Sequence, residues 1–447
     1  MLNASYDRKI QRARKQLRHV PRFKVSGRVV ASSRNLVYAA LPGAAVGDTV
    51  AIARRTLSPL PALVTGFENH TAALSPFGNL EEIAPGAAVE MLPQPIGNLS
   101  HNVSLGTIID CFCRELPHAQ ESTQFPHYEQ STQREPICPL SRPPIDQQYL
   151  TGIRAVDALV PIGVGQRISV IAPPGVGKST LLLMLAGAKT TTVNIFALIG
   201  ERGREVRELI EQADALSIRS TSIFVVSTAD EPAACRLRAA QTAMSLAEHY
   251  RSQGRDVMLS VDSLTRLARA WREVGLASGE PPTRKGFPPS VFAELPKLIE
   301  RAGRTEQGSI TAFYSLLKSE SIDDDPIVEE VKSLTDGHLE LSPKRAERGC
   351  YPAIDICRSI SRVSRRLMSE QQLHAAQTVI SAAARLESDR DLALLGSPDA
   401  ELKRLLSHEH NIDLFLNQKA EEKSSHRETQ QHLSQLASLL SGANAAA

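Results

Sequence analysis

The 447-residue chain has few aromatic residues, 4% in all with one tryptophan, so its core must be aliphatic and rich in alanine. It has almost no net charge, +2 at neutral pH, which argues against a protein that coats nucleic acid wholesale. No uninterrupted apolar run approaches the ~20 residues that a membrane-spanning helix needs. The start, Met1-Leu-Asn-Ala-Ser-Tyr-Asp-Arg-Lys, lacks the apolar centre of a signal peptide. Cysteine is scarce as well, with six residues at positions 111, 113, 138, 235, 350 and 357. Cys111 and Cys113 are too closely spaced for a zinc knuckle, and no second Cys or His pair completes one, so free thiols in a reducing compartment are expected. Together these absences describe a soluble, cytoplasmic chain, long enough for two or three domains with a large core.

What is present is concentrated around residue 175. The apolar run Ile168-Ser-Val-Ile171-Ala172 leads into Pro173-Pro174-Gly175-Val176-Gly177-Lys178-Ser179-Thr180, and Leu181-Leu-Leu-Met-Leu185 continues with helical character. A buried strand, a glycine-bearing turn and a helix in that order form a P-loop. Backbone N–H groups of Gly175, Val176, Gly177 and the helix start cradle phosphates, Lys178 reaches the outer ones, and Ser179 ligates Mg²⁺. The strict pattern has Gly where this chain has Ala172, and a Gly-Lys-Ser at a helix start also arises by chance. The flanking strand and helix favour nucleotide binding.

The rest of the chain divides by texture. Residues 1–23 form a basic segment: between positions 8 and 24, Arg8, Lys9, Arg12, Arg14, Lys15, Arg18, Arg22 and Lys24 occur with no acid among them. Ile10, Ala13, Leu17 and Val20 share one helical stripe, so either a solvated terminus or a helix on an anionic surface is expected. Residues 24–95 place short β-branched runs (25–30, 37–41, 49–52, 62–65) between Gly and Pro turns, which suggests a small β-barrel. Residues 96–363 alternate aliphatic strands (193–199, 222–226, 257–261, 310–314) with helical stretches, an α/β architecture, with 117–143 as an extended Pro/Gln/Ser-rich connection. Residues 364–440 read as a charged helical domain and 441–447 as a loose tail.

Val257-Met-Leu-Ser-Val-Asp262 is a strand ending in an acid, the Walker B arrangement, and Asp262 beside the P-loop can orient Mg²⁺. Hydrolysis also needs a group that positions water. Glu201 ends the strand Ile195-Phe-Ala-Leu-Ile199-Gly200 and would sit at the same sheet edge, although Glu201-Arg202-Gly-Arg204-Glu205-Val-Arg207 also reads as a charged helix start.

The segments Gly200–Val206, Asp262–Arg266, Gly279–Thr283, Gly286–Phe292, Glu300–Gly303, Gly308–Tyr314, Asp336–His338, Arg348–Asp355 and Ser359–Val363 occur in that order. With them the chain closely resembles the ATPases of type III secretion systems, including the flagellar export ATPase, within the rotary ATP synthase family. The resemblance runs from about residue 143 to 363 and is weaker before that. It implies a RecA-like P-loop NTPase core with an N-terminal small β-barrel and a C-terminal helical domain. It also implies ATP and Mg²⁺ as ligands, with Glu201 the catalytic carboxylate, Arg202 a γ-phosphate sensor and Arg266 an active-site arginine. Lys178, Ser179 and Thr180 match the phosphate and magnesium positions, Asp262 the Walker B acid, and Tyr351 the adenine-stacking ring. Arg362 matches an arginine finger given to a neighbouring subunit, although Arg358, Arg362, Arg365 and Arg366 also read as a basic helix surface.

By the same resemblance the partners are a homo-hexamer, stator, regulator and central-stalk proteins of an export apparatus, and chaperone–substrate complexes. A peripheral association with the cytoplasmic face of the inner membrane is implied, with no nucleic acid. The chain departs from the family at Pro173-Pro174, where Gly-Ser is usual, at Cys111 and Cys113, which replace glycines, and in residues 320–325, where the acids are shifted. The stretch between Glu211 and Ser222 is shortened, and the aromatic Gly-x-Tyr group of the C-terminal domain is missing. Alternatives on the same core are a rotary proton-translocating subunit, a termination-type RNA helicase and a non-catalytic regulatory subunit. The helicase would want stacking rings, and residues 24–95 hold only Tyr38, Phe67 and Phe77. Retention of Glu201 and Lys178 argues against the non-catalytic subunit.

Overall fold

Six short strands with turn residues at nearly every junction close on themselves: β1 (Ser26–Ser32), β2 (Val37–Ala40), β3 (Thr49–Ile52), β4 (Leu60–Glu68), β5 (Thr71–Pro76) and β6 (Ala88–Met91). They form an antiparallel barrel in the order β1-β2-β5-β4-β3-β6, filled by Val29, Val37, Val50, Ile52, Val64, Leu74 and Val89. Closure leaves no unpaired strand edge, which is how so small a sheet avoids adhesion. The structure, a computed structural model, describes residues 26–33, 35–92, 103–116, 138–318, 325–396 and 399–441. The basic segment 1–23, most of the 117–143 connection, the acids at 323 and 324 and the tail after Ser441 lie outside the described residues.

The second sheet is built from β7 (Ile108–Ile109), β8 (Arg167–Ala172), β9 (Val193–Glu201), β10 (Ser222–Thr228), β11 (Asp256–Asp262), β12 (Gly303–Arg304), β13 (Ser309–Leu317), β14 (Gly337–Leu341) and β15 (Ile354–Ser361). Its order is β15-β14-β8-β13-β11-β9-β10-β7, with β12 paired to β13. The strands from β14 to β7 along this path run parallel, while β15 and β12 are antiparallel additions. Parallel strands need long crossovers, and the helices fill them: α1 (Arg154–Leu159), α2 (Lys178–Ala186), α3 (Gly203–Ala215), α4 (Ala233–Ser252), α5 (Leu264–Ala277), α6 (Pro289–Glu300) and α7 (Pro326–Leu334). Alternate residues of each strand enter different cores. Ile168, Val170, Phe196, Leu198 and Phe313 join α2 and α3 on one face. Ile195, Ala197, Leu259, Val261 and Tyr314 join α4 to α7 on the other.

After α8 (Pro343–Glu347) and α9 (Ser364–Leu367) come four further helices, α10 (Glu370–Leu395), α11 (Ala400–Ser407), α12 (Glu409–Leu416) and α13 (His426–Ser441). This is the helical C-terminal region, and its apolar residues Val379, Leu402, Ile412 and Leu433 belong to the same continuous core as α2 and β8. Polar ties reinforce the junction. Arg154 is ion-paired to Glu422 and donates to the Phe415 carbonyl, and Lys423 Nζ donates to the carbonyls of Thr151 at 3.2 Å and Met184 at 2.6 Å. No helix among the described residues is long and apolar enough to cross a membrane.

Candidate active site

β8 ends at Ala172, and the chain turns through Pro173-Pro174 before α2 begins at Lys178. Gly175 and Gly177 have φ of +82° and +90°, a left-handed backbone that a side chain would strain, so these two glycines are needed for conformation. The prolines precede this bend and leave both glycines free to make it. The N-terminal N–H groups of α2 therefore point out of the loop with the positive end of the helix dipole behind them. Ser179 and Thr180 are half-buried on the first turn and line the cavity with Gly175 and Gly177. The Val176 side chain is buried in the α2 core and can offer a ligand only its backbone.

Lys178 extends from α2 to the carboxyl ends of the strands. It forms an ion pair with Asp262, the last residue of β11, and lies 3.4 Å from the Ser315 hydroxyl of β13 and 4.0 Å from Glu201. Ser315 Oγ donates to Asp262 Oδ1 at 2.6 Å, and Asp262 is only 1% exposed. Asp262 thus stands beside the P-loop although its strand is not the neighbour of β8. β13 separates β8 from β11, and Ser315 on that middle strand bridges Lys178 and Asp262. Strand order depends on how the crossovers pack, so Ser315 carries no signal in the sequence beyond its place after Phe313-Tyr314.

Glu201 is the end of β9, and Arg266, from the first turn of α5, closes on it at 2.6 Å while also donating to the Gly200 carbonyl. A Cβ at Gly200 would lie 3.1 Å from Arg266 Cδ, so the glycine, itself at φ +68°, makes room for the arginine. Burial is the main influence on the Glu201 carboxyl, followed by a hydrogen bond with Glu205 and the charge of Asp262; together they outweigh Lys178 and Arg266 and push its pKa up to about 7. The same hydrogen bond holds Glu205 below the usual carboxylate range. In the sequence Glu205 reads only as part of a charged helix start. Its recurrence four residues after Glu201 was the available signal.

The remaining candidates separate. Tyr351 is 45% exposed, and its ring edge is 3.4 Å from where a Cβ on Gly177 would stand, so it flanks the loop as a shelf. Its carbonyl accepts from Gln418 N at 2.7 Å, tying that shelf to the C-terminal helices. Arg202 does not join the cluster: its side chain is 81% exposed, and among the described residues its one ion-pair contact is Glu205, at 4.0 Å. Arg362 follows the outermost strand β15, is exposed, and donates to the Lys332 carbonyl at 3.3 Å, outside the cavity of about 270 Å³ that holds Lys178, Glu201, Asp262 and Arg266.

The loop suits a nucleotide triphosphate with Mg²⁺: open backbone at two left-handed glycines, a lysine whose partners are carboxylates, and a buried acid opposite a helix-start hydroxyl. Comparison with known proteins agrees. Residues 152–361 match the ATP synthase alpha/beta family, nucleotide-binding domain. A flagellum-specific ATP synthase of Treponema pallidum is 37% identical over 432 residues, covering 95% of each chain. A type 3 secretion system ATPase of Pseudomonas syringae pv. syringae is 38% identical over 439 residues, covering 95% of this chain and 97% of its own. Among solved structures, the assembled ATPase EscN in complex with its central stalk EscO, from the enteropathogenic E. coli type III secretion system, superposes with a TM-score of 0.82 at 37% identity. That match covers 92% of this chain and all of that one. The chain accordingly belongs to the ATP synthase alpha/beta family, in the branch of type III secretion and flagellum-specific ATPases, and is an ATPase of that branch.

Proposed function

We propose that this chain hydrolyses ATP to energise protein export, as a ring whose active sites are completed between neighbouring copies. The observation that carries the chemistry is the meeting of Glu201, Lys178 and Asp262 at the mouth of the P-loop. Bound ATP with Mg²⁺ supplies the phosphoanhydride to be split and a dication to offset its charge. Lys178 and the N–H groups of Gly175 to Thr180 bind the phosphates; Ser179 and Asp262 hold the ion; Tyr351 stacks on the base. Glu201 orients a water molecule and accepts its proton, a task suited to a carboxyl poised near neutrality. Arg266 keeps the carboxylate aimed and charged.

The exposed side chain of Arg362, outside the cavity of its own chain, supports its role as a finger for the next copy, where a guanidinium neutralises charge developing on the transferred group. Arg202, also exposed, then belongs to the same interface as the γ-phosphate sensor. The assembled state of EscN and its central stalk support a homo-hexamer here that engages a stalk protein, with stator, regulator and chaperone–substrate complexes as further partners. We place the ring at the cytoplasmic face of the inner membrane, with the basic residues 1–23 as its contact to anionic lipid. The barrel favours this reading over a nucleic-acid motor. Phe77 is buried edge-on against Phe112 at 5.2 Å, which leaves Phe67 as the one large exposed aromatic among the barrel's described residues.

Two inactive variants test the reading. Glu201→Gln should bind ATP with near-native affinity and lose turnover by about 10²–10⁴. Mixed with inactive Arg362→Ala, it should regain part of the activity, because some interfaces then carry an intact Glu201 facing an intact Arg362. Normal turnover by Glu201→Gln would remove the carboxylate from the mechanism, and no recovery on mixing would argue for a site complete within one chain.

A further inference from the structure

On the far side of the sheet from α2, three polar side chains from different segments converge where the barrel meets the nucleotide-binding core. Cys111 lies in the turn after β7, Cys235 on the first turn of α4, and Glu231 in the loop that joins β10 to α4. Their sulfur and carboxylate atoms all lie within 4.8 Å of one another. Both cysteines are buried, at 2% and 4% exposure, while Glu231 is half-buried and opens the cluster to solvent. Each group is already oriented. Ser227 Oγ donates to Glu231 Oε2 at 2.7 Å, Cys235 Sγ faces the Phe77 carbonyl of the barrel at 3.5 Å, and the Cys111 backbone carbonyl accepts from Thr242 at 2.8 Å.

The neighbouring charge supplies an independent observation. Arg238, one turn along α4 from Cys235, is 7% exposed with its guanidinium over the rings of Phe77 at 5.8 Å and Phe112 at 5.3 Å. Its Nε has no hydrogen-bond partner, and among the described residues no ion pair involves it. Asp110, an acid whose charge acts on Arg238, is already engaged by Arg114 and by the N–H groups of Phe112 and Arg114. A buried cation left this way is costly unless a negative group forms beside it.

We propose that Cys111, Cys235 and Glu231 bind a thiophilic divalent cation of the zinc class. Binding displaces the two thiol protons to solvent, so two thiolates and one carboxylate around a dication leave one net negative charge, which Arg238 balances. Sulfur at about 2.3 Å from zinc in a tetrahedron places ligand atoms roughly 3.5–3.8 Å apart, so the cluster needs to contract by only about 1 Å. The fourth position faces the solvent side of Glu231 and takes water. The bound ion ties the β7 turn to α4 within the ATPase core, beside the barrel residue Phe77. The site is distinct from the magnesium position at Ser179 and Asp262 and stands whether or not the ATPase mechanism above is right.

The test uses the full chain, reduced and freed of metal, titrated with Co²⁺ and then Zn²⁺. The expected result is one equivalent of cobalt with a thiolate-to-cobalt charge-transfer band that zinc abolishes. A magnesium-type oxygen site gives no such band. The band should be lost in Cys111→Ser and in Cys235→Ser, survive in Cys357→Ser, and need about tenfold or more cobalt in Glu231→Gln. Zinc-edge X-ray absorption on the native chain, which needs no variant to fold, should show two sulfurs at about 2.3 Å. Absence of the band from reduced native protein overturns the proposal, as does a zinc shell of oxygen and nitrogen alone. A Cys111–Cys235 disulfide in peptide maps, with no metal taken up after reduction, overturns it in favour of a covalent clasp.

Discussion

Two arginines of the nucleotide-binding core are held in opposite ways. Arg266, at the carboxyl ends of the central strands, is half-buried and paired, closing on Glu201 at 2.6 Å and on the Gly200 carbonyl. Arg362, beyond the outermost strand, is exposed, and among the described residues its side chain makes one hydrogen bond, at 3.3 Å to a backbone carbonyl. The same guanidinium thus serves two ends. A buried, paired arginine fixes the geometry and protonation of its own site, whereas an exposed, loosely held one is free to enter another chain's site. The neighbouring basic residues sharpen the point: Arg358 on β15 is partly engaged, 3.9 Å from Glu340 and 3.7 Å from Asp355, so Arg362 is the looser of the two.

The largest expected effect tests that difference directly. Arg362→Ala should lower turnover by about 10³–10⁵ while leaving thermal unfolding of the isolated chain unchanged, because the side chain supports little of its own fold. Arg266→Ala should instead lower the melting temperature as well as activity, since it leaves Glu201 buried beside Asp262 without its closest cation. Equal thermal shifts in the two variants would erase the distinction.

An intermediate effect concerns the base shelf. Base–aromatic stacking is worth about 1–3 kcal/mol, so Tyr351→Ala should raise the KM for ATP by roughly 5- to 150-fold with kcat little changed, and Tyr351→Phe should restore it. An unchanged KM in the alanine variant would remove Tyr351 from base recognition.

The smallest effects lie in the pH dependence. Glu201 accepts a proton only when ionised, which it becomes above about pH 7, so turnover should rise with pH through that region. The hydrogen bond that protonated Glu201 donates to the Glu205 carboxylate raises this pKa, and Glu205→Ala should move the acidic limb to lower pH. Arg266 lowers it, so Arg266→Ala should move the limb to higher pH. Opposite displacements in the two variants would identify Glu201 as the titrating base. Displacements in the same direction would assign the limb to another group.

Much of this was legible in the residues. The P-loop glycines, Lys178 and the strand before them depend on neighbours within a dozen positions, and turn geometry, helix capping and strand alternation are local. Glu201 and Asp262 were recognisable because each ends an apolar run. The barrel was legible for the same reason, through short alternating runs separated by Gly and Pro turns. The shared core of the C-terminal helices was not. Its apolar positions announce helices, but a stripe on a helix does not say which surface covers it, and here that surface is the α2 face of the sheet.

By itself the sequence determined the phosphate-binding turn, the acids at the strand ends and the family, because each is written in short segments whose backbone conformation their own residues dictate. Only the tertiary structure decided that β13 lies between β8 and β11, so that Ser315 joins Lys178 to Asp262. It also decided that Arg362 stands away from its own cavity, and that Cys235 and Glu231 close on Cys111, the partners that spacing along the chain had not supplied. The reason is one of range. Strand order and interdomain packing are set by which apolar faces bury one another across the whole chain, and that choice leaves no mark on the residues next to the site.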